Sequence, residues 1–96
     1  MIEKNKIIEA LKKCIDPELR LDVYTLGLIY DISVKDNVID ITMTLTSPMC
    51  PYGPIIMDEV KLKVSSVKNV KKVNINLVFE PLWQPTEEVK LMLGIE

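Results

Sequence analysis

The sequence predicts an α+β fold: a single two-layer domain over residues 1–96, in the order α-β-β-α-β-α, with a small three-stranded sheet and helices packed on one of its faces. Three observations predict it. Apolar residues recur at helical spacing in the first fifteen positions, the period switches to two after Gly27, and helical and alternating patterns then follow one another to the end. At 96 residues, 48% of them hydrophobic and 27% charged, the chain has the composition of an ordinary globular domain and the length for only one.

The elements follow in order. Ile7, Ile8, Leu11, Cys14 and Ile15 give an amphipathic helix over residues 3–15, and Pro17 ends it by forcing Asp16 out of helical dihedrals. Tyr30, Ile32 and Val34 share one face of a first strand; Ile39, Ile41, Met43 and Leu45 share one face of a second, with Thr42, Thr44 and Thr46 opposite. Asp36-Asn37 supplies the tight turn between them, because both residues tolerate the left-handed region. Gly53-Pro54 opens a second helix, since proline suits the first helical position, and Ile56, Val60, Val64 and Val67 form its buried stripe. Val73, Ile75, Leu77 and Phe79 alternate along a third strand that Glu80-Pro81 ends. Thr86 caps a short last helix with Glu87 and Glu88 in its first turn and Gly94 past its end. Whether the third strand lies beside the first or the second is left open by this pattern.

Composition excludes whole classes of function. The formal net charge of −2 argues against an electrostatic hold on nucleic acid, and the lysines from Lys61 to Lys72, with Lys12 and Lys13, read as solvated faces. No apolar run approaches the ~20 residues of a membrane span. The opening MIEKNKIIEALKK lacks the apolar core of a signal peptide, so a cytoplasmic location with reduced cysteines is expected. The chain has no histidine, which removes Ser–His–Asp and Cys–His catalysis and histidine-based zinc sites. Its two cysteines fall short of the four thiolates that hold an iron–sulphur cluster.

The stretch TLTSPMCPYGP at 44–54 carries the chemistry. Cys50 follows a strand and precedes a helix, in a loop stiffened by Pro48 and Pro51, where the free N–H groups of the helix start favour thiolate over thiol. Against this stands the ordinary small buried cysteine; placement favours reactivity or metal ligation. Cys14, on the apolar stripe of the first helix, reads as core filling. Thr46 and Ser47 place hydroxyls four and three residues before Cys50, within reach of a thiolate or sulfide, although Ser47 equally suits a turn. Asp16-Pro17-Glu18 is either a helix stop with two carboxylates in water or, if folding brings it beside Cys50, a proton acceptor or hard metal ligand. Trp83, the only tryptophan, reads as a lid over one end of the core or as a partner contact.

DPEL at 16–19, LGLIYDI at 26–32, MTLTSPMCP at 43–51 and EPLWQP at 80–85 together resemble the MIP18-like (DUF59) family, which includes SufT-type iron–sulphur assembly proteins and the PaaD subunit of phenylacetate degradation. The resemblance covers nearly the whole chain. It implies a fold like the C-terminal domain of NifU-type proteins and a role in maturing iron–sulphur proteins. It also implies a pocket of Asp16, Glu18, Leu19, Thr46, Ser47 and Cys50, with Ser47 replacing a threonine common in the family. After Trp83 the chain lacks several residues of the acidic, methionine-rich segment that the resemblance implies.

The resulting reading is a cytoplasmic accessory factor, not an enzyme, that assembles or delivers iron–sulphur clusters. Cys50 is the metal or sulphur contact, Asp16 and Glu18 its acidic neighbours, and Thr46 and Ser47 its hydrogen-bond donors. One chain holds no stable cluster; any cluster or iron is labile, shared across a homodimer, or held jointly with an assembly scaffold or client apoprotein. A maturation subunit for one oxygenase is the alternative within the family. A thiol enzyme with Asp16 as base and Cys50 as nucleophile is the alternative from another class. A KH-like nucleic-acid module ranks last, for want of a G-x-x-G loop and of positive charge.

Overall fold

The structure, a computed structural model, describes residues 2–17, 19–46 and 52–94. Its elements are α1 (Lys4–Leu11), β1 (Ile29–Lys35), β2 (Val38–Met43), α2 (Gly53–Ser65), β3 (Lys72–Leu77) and α3 (Glu87–Leu93). The order is the one the periodicities predict. Among the described residues no helix is long and apolar enough to cross a membrane.

The sheet runs β1-β2-β3, so the third strand lies beside the second. β1 and β2 are antiparallel, joined through Asp36 and Asn37 at φ 52° and 66°. That is the left-handed pair a two-residue hairpin demands. β2 and β3 are parallel, which requires a long crossover. α2 supplies it. Register then sorts the side chains: Ile32, Ile41 and Ile75 share one row and Val34, Ile39 and Val73 the next. Between them runs a polar row of Ser33, Asp40 and Asn74, where the Asn74 amide donates to Asp40 Oδ1 at 2.9 Å. One face is therefore apolar and the other polar.

The apolar face and the helices enclose one core. Ile39, Ile41 and Met43 of the central strand are fully buried, as are Ile7 and Leu11 of α1 and Val60 and Val64 of α2. Val89 of α3 joins the same cluster. Thr86 caps α3 as expected, its hydroxyl accepting the Val89 N–H at 3.2 Å, and Gly94 ends the helix in the left-handed region.

Three expectations need correction. α1 stops at Leu11 rather than near residue 15, so Pro17 does not end it: Lys13 and Cys14 donate to Ala10 and Leu11 in tightened turns, and Ile15 pairs instead with Asp22 in an antiparallel bridge. Backbone pairing has outcompeted another helical turn, yet Cys14 still reaches the core, 1% exposed. β2 ends at Met43, so alternation lapses there and Thr44, expected on the outer face, is fully buried. β3 ends at Leu77, whose side chain is partly exposed, and Phe79 lies beyond it.

Candidate functional site

Among its described residues the segment between α1 and β1 forms no helix or strand, and two aspartates organise it. Asp16 Oδ1 accepts the N–H of Leu19 at 3.0 Å, and Asp22 Oδ2 accepts that of Thr25 at 2.9 Å. In both, an aspartate caps the N–H three residues on, the use for which short acidic side chains are preferred at turn starts. Backbone bonds close the loop around them: Asp16 N–H to Leu21 O, Arg20 N–H to Asp16 O and Val23 N–H to Cys14 O, each within 3 Å. The carboxylate of Asp16 is consequently not left in water as a simple helix stop would leave it; the residue is 1% exposed. Burying a carboxylate is expensive unless it is bonded, so Asp16 occupies a prepared place.

The same loop stitches distant motifs together. Leu28 N–H donates to Val23 O, Thr44 N–H to Leu28 O at 2.8 Å and Val78 N–H to Met43 O at 2.9 Å. Trp83 Nε1 donates to Leu26 O at 2.6 Å, and the Tyr30 hydroxyl to Pro81 O at 2.7 Å. The register of β1 slips between Ile29 and Asp31, a bulge at Tyr30 of the kind that re-aims a side chain. Gly27 turns the chain here at φ +80°, a conformation that costs other residues about 1 kcal/mol or more. Residues 26–30, 43–44 and 81–83 are thus joined by hydrogen bonds, and the loop that holds Asp16 connects to them through Cys14 and Val23.

The start of α2 is brought to the same place. A Cβ added to Gly53 would lie 2.8 Å from Leu45 Cδ1, so the helix start packs against the residue two places past β2, and a larger side chain at 53 would need the tip of Leu45 to move. Pro54 occupies the first turn, and Tyr52 at the N-cap position makes no side-chain cap. Thr46 and Tyr52 flank residues 47–51. Cys50 and Ser47, and Glu18 of the acidic tripeptide, lie outside the described residues. Of the remaining predicted site residues, Asp16 is buried while Leu19, Thr46 and Trp83 are half-buried. Asp16 and Leu19 meet directly through the cap; Trp83 joins Leu26 as a cover on the core, in keeping with the lid reading. Asp22, the Tyr30 hydroxyl and the burial of Thr44 escaped sequence reasoning. The repeated pattern of an aspartate followed three residues later by Leu19 or Thr25 was the available signal for Asp22.

Cys14 is a free buried thiol, its Sγ 3.6 Å from Ala10 O. Burial, then the nearby Glu59 and Asp22 carboxylates, push its pKa up to about 11 against the opposing pull of Lys63. Unfolded, the thiol titrates near 9.0. The protonated form therefore contributes its full stability below pH 9 and loses it as pH rises through 11. A tenfold difference in proton affinity between the folded and unfolded chain is worth about 1.4 kcal/mol. The stability advantage of the wild type over Cys14→Ala, from urea unfolding, is expected to be constant up to pH 9 and to shrink by about 2–3 kcal/mol at pH 11. An unchanged difference would mean that the thiol is not held protonated by its surroundings.

Comparison with known proteins adds a family. Residues 4–77 match the family described as "Iron-sulfur cluster assembly protein". The chain is similar to an Fe-S protein maturation auxiliary factor of Porphyromonas gingivalis, 47% identical over 92 residues that span 92% of this chain and 88% of that protein. It is also similar to the Fe-S protein maturation auxiliary factor YitW of Bacillus subtilis, 41% identical over 97 residues, covering 97% of this chain and 95% of the relative. A DUF59 domain from Bacillus anthracis has a solved structure that superposes with a TM-score of 0.88 at 38% identity, over 97% of this chain and 92% of that one.

Proposed function

The chain belongs to the iron–sulphur cluster assembly protein family, and from that premise we propose that it is an accessory factor for assembling iron–sulphur clusters or delivering them to client apoproteins, through a pocket centred on Cys50. The observation that supports this reading is a buried Asp16 in a loop whose ends, Cys14 and Val23, are hydrogen-bonded toward the segments of the other motifs. A simple helix stop would leave its aspartate in water, whereas Asp16 is buried. The names of the relatives from Porphyromonas gingivalis and Bacillus subtilis support the same role, and a cytoplasmic setting goes with it.

Iron or the cluster is cargo in this reading. Cys50 offers a soft thiolate, Asp16 and Glu18 hard oxygen ligands or charge compensation, and Thr46 and Ser47 hydroxyl donors to sulphur. Cys14 is buried and held protonated, which leaves one usable thiol per chain against the four that a cluster ordinarily takes. The remaining ligands come from a second copy, a scaffold or the client, so that the protein hands the cluster on rather than keeping it. The role is that of an adaptor, with no turnover of a bound substrate.

In cells lacking the chain, iron–sulphur enzymes are expected to lose activity at unchanged protein abundance and to recover it when the wild-type chain is restored. The measurement is enzyme activity per amount of immunodetected protein, with and without iron limitation. Equal specific activities in both strains under both conditions would refute the role.

A further inference from the structure

A groove of about 750 Å3, lined by none of the described motif residues, opens between α1 and the C-terminal end of α2. Its floor is apolar: Ile2 and Ala10 are buried and Val67 half-buried. Its walls carry Lys6 and Lys13 from the α1 side and Lys63 and Lys68 from the α2 side. Against these four ammonium groups stand the carboxylates of Glu3 and Glu9, a local excess of two positive charges on a chain whose net charge is −2. Lys6 and Glu9 approach at 3.9 Å, both mostly exposed, a contact worth little. Among the described residues Lys13, Lys63 and Lys68 make no ion pair.

Lys63, in the last turn of α2, suits that helix's dipole. At α1, Glu3 stands at the N-cap and Lys12 at the C-cap, which also suits the dipole, while Lys4 and Lys6 near its start oppose it. The groove walls still carry two more positive charges than negative ones, an excess that an anionic group would offset.

We propose that this groove docks a partner protein through an acidic peptide segment that seats an apolar side chain on Ile2, Ala10 and Val67. The volume falls within the ~300–1,000 Å3 of built binding clefts, larger than a simple anion fills, and an apolar floor offers nothing to an inorganic ion. Nucleic acid fits poorly, because Glu3 and Glu9 line the walls and the chain is acidic overall. Docking here is separate from the proposed cluster handling, since Asp16, Leu19 and Thr46 do not line the groove, so either role can fail alone.

The probe is a synthetic peptide, Asp-Glu-Asp-Leu-Asp-Glu-Asp, titrated into the full-length 15N-labelled chain. Amide shifts are expected at Ala10, Val67 and Asn69, weakening as salt is raised. Lys13→Glu combined with Lys68→Glu, both at exposed positions, should keep the wild-type urea midpoint and weaken binding about tenfold, or ~1.4 kcal/mol. Val67→Ser should weaken it without altering the salt dependence. Absence of shifts at about millimolar peptide, or shifts confined elsewhere, would overturn the proposal. So would equal binding by the same peptide with serine for leucine or by inorganic polyphosphate, since either marks a plain anion patch. Groove shifts that follow protein concentration alone would assign the surface to a second copy of this chain and overturn the proposal likewise.

Discussion

Cys50→Ser is expected to leave the urea midpoint near that of the wild type and to abolish recovery of iron–sulphur enzyme activity, whereas Cys14→Ser should do the reverse. The two thiols differ in what they give the protein. Cys14 is 1% exposed, belongs to the core cluster and is held protonated. A serine hydroxyl there would exchange a soft, nearly apolar group for one that needs hydrogen bonds in a place built for sulphur. Such a change costs about 1–3 kcal/mol. It removes nothing that a cluster could use. Serine at position 50 would retain size and polarity but lose the thiolate, the only form of the residue that binds iron or attacks sulphur. Complementation of cells lacking the chain, together with urea unfolding of both variants, separates these outcomes. If Cys50→Ser unfolds more than about 2 kcal/mol more easily, the residue packs like core and the proposed pocket loses its centre. If Cys14→Ser folds and still fails to complement, the wrong thiol has been assigned.

Much of this architecture was legible because binary pattern and turn chemistry agree along most of the chain. The hairpin at Asp36-Asn37, the start of α2 at Gly53-Pro54 and the Thr86 cap each rest on a residue whose backbone preference matches its place. The errors fall where tertiary pairing overrides local preference. Ile15 continues the apolar stripe of α1, yet it pairs with Asp22, and one backbone bridge outweighs another helical turn. Thr44 is a good outer-face strand residue, but its N–H goes to Leu28 O and the burial pattern stops alternating. The place of β3 beside β2 was not written in its own alternation; it follows from the crossover through α2. For the site, residue types were readable and burial was not. DPEL in sequence serves equally for a solvated stop and for a buried cap, and the choice depends on the loop from residue 14 to residue 23 closing over it.

Asp16 provides the sharpest division between a structural and a functional carboxylate. Asp16→Ala removes the acceptor for the Leu19 N–H, 3.0 Å away and partly buried. The unpaired donor and lost cap should cost about 1–3 kcal/mol. Asp16→Asn keeps an oxygen in the place of Oδ1 and only gives up the capacity for negative charge. If Asp16 serves the loop alone, the asparagine variant should match the wild type in stability and in complementation. If the carboxylate also compensates a cationic cargo beside Cys50, Asp16→Asn should stay within about 1 kcal/mol of the wild type, as an isosteric cap would, yet take up less iron in anaerobic reconstitution and complement poorly. The second outcome is expected, because the proposed role sets a cationic cargo beside this buried residue, and a carboxylate compensates a cation where an amide does not. Urea unfolding, iron content after desalting and complementation decide the matter for both variants. Full complementation by Asp16→Asn would reduce the Asp-Pro-Glu turn to architecture and leave Cys50 without its acidic neighbour.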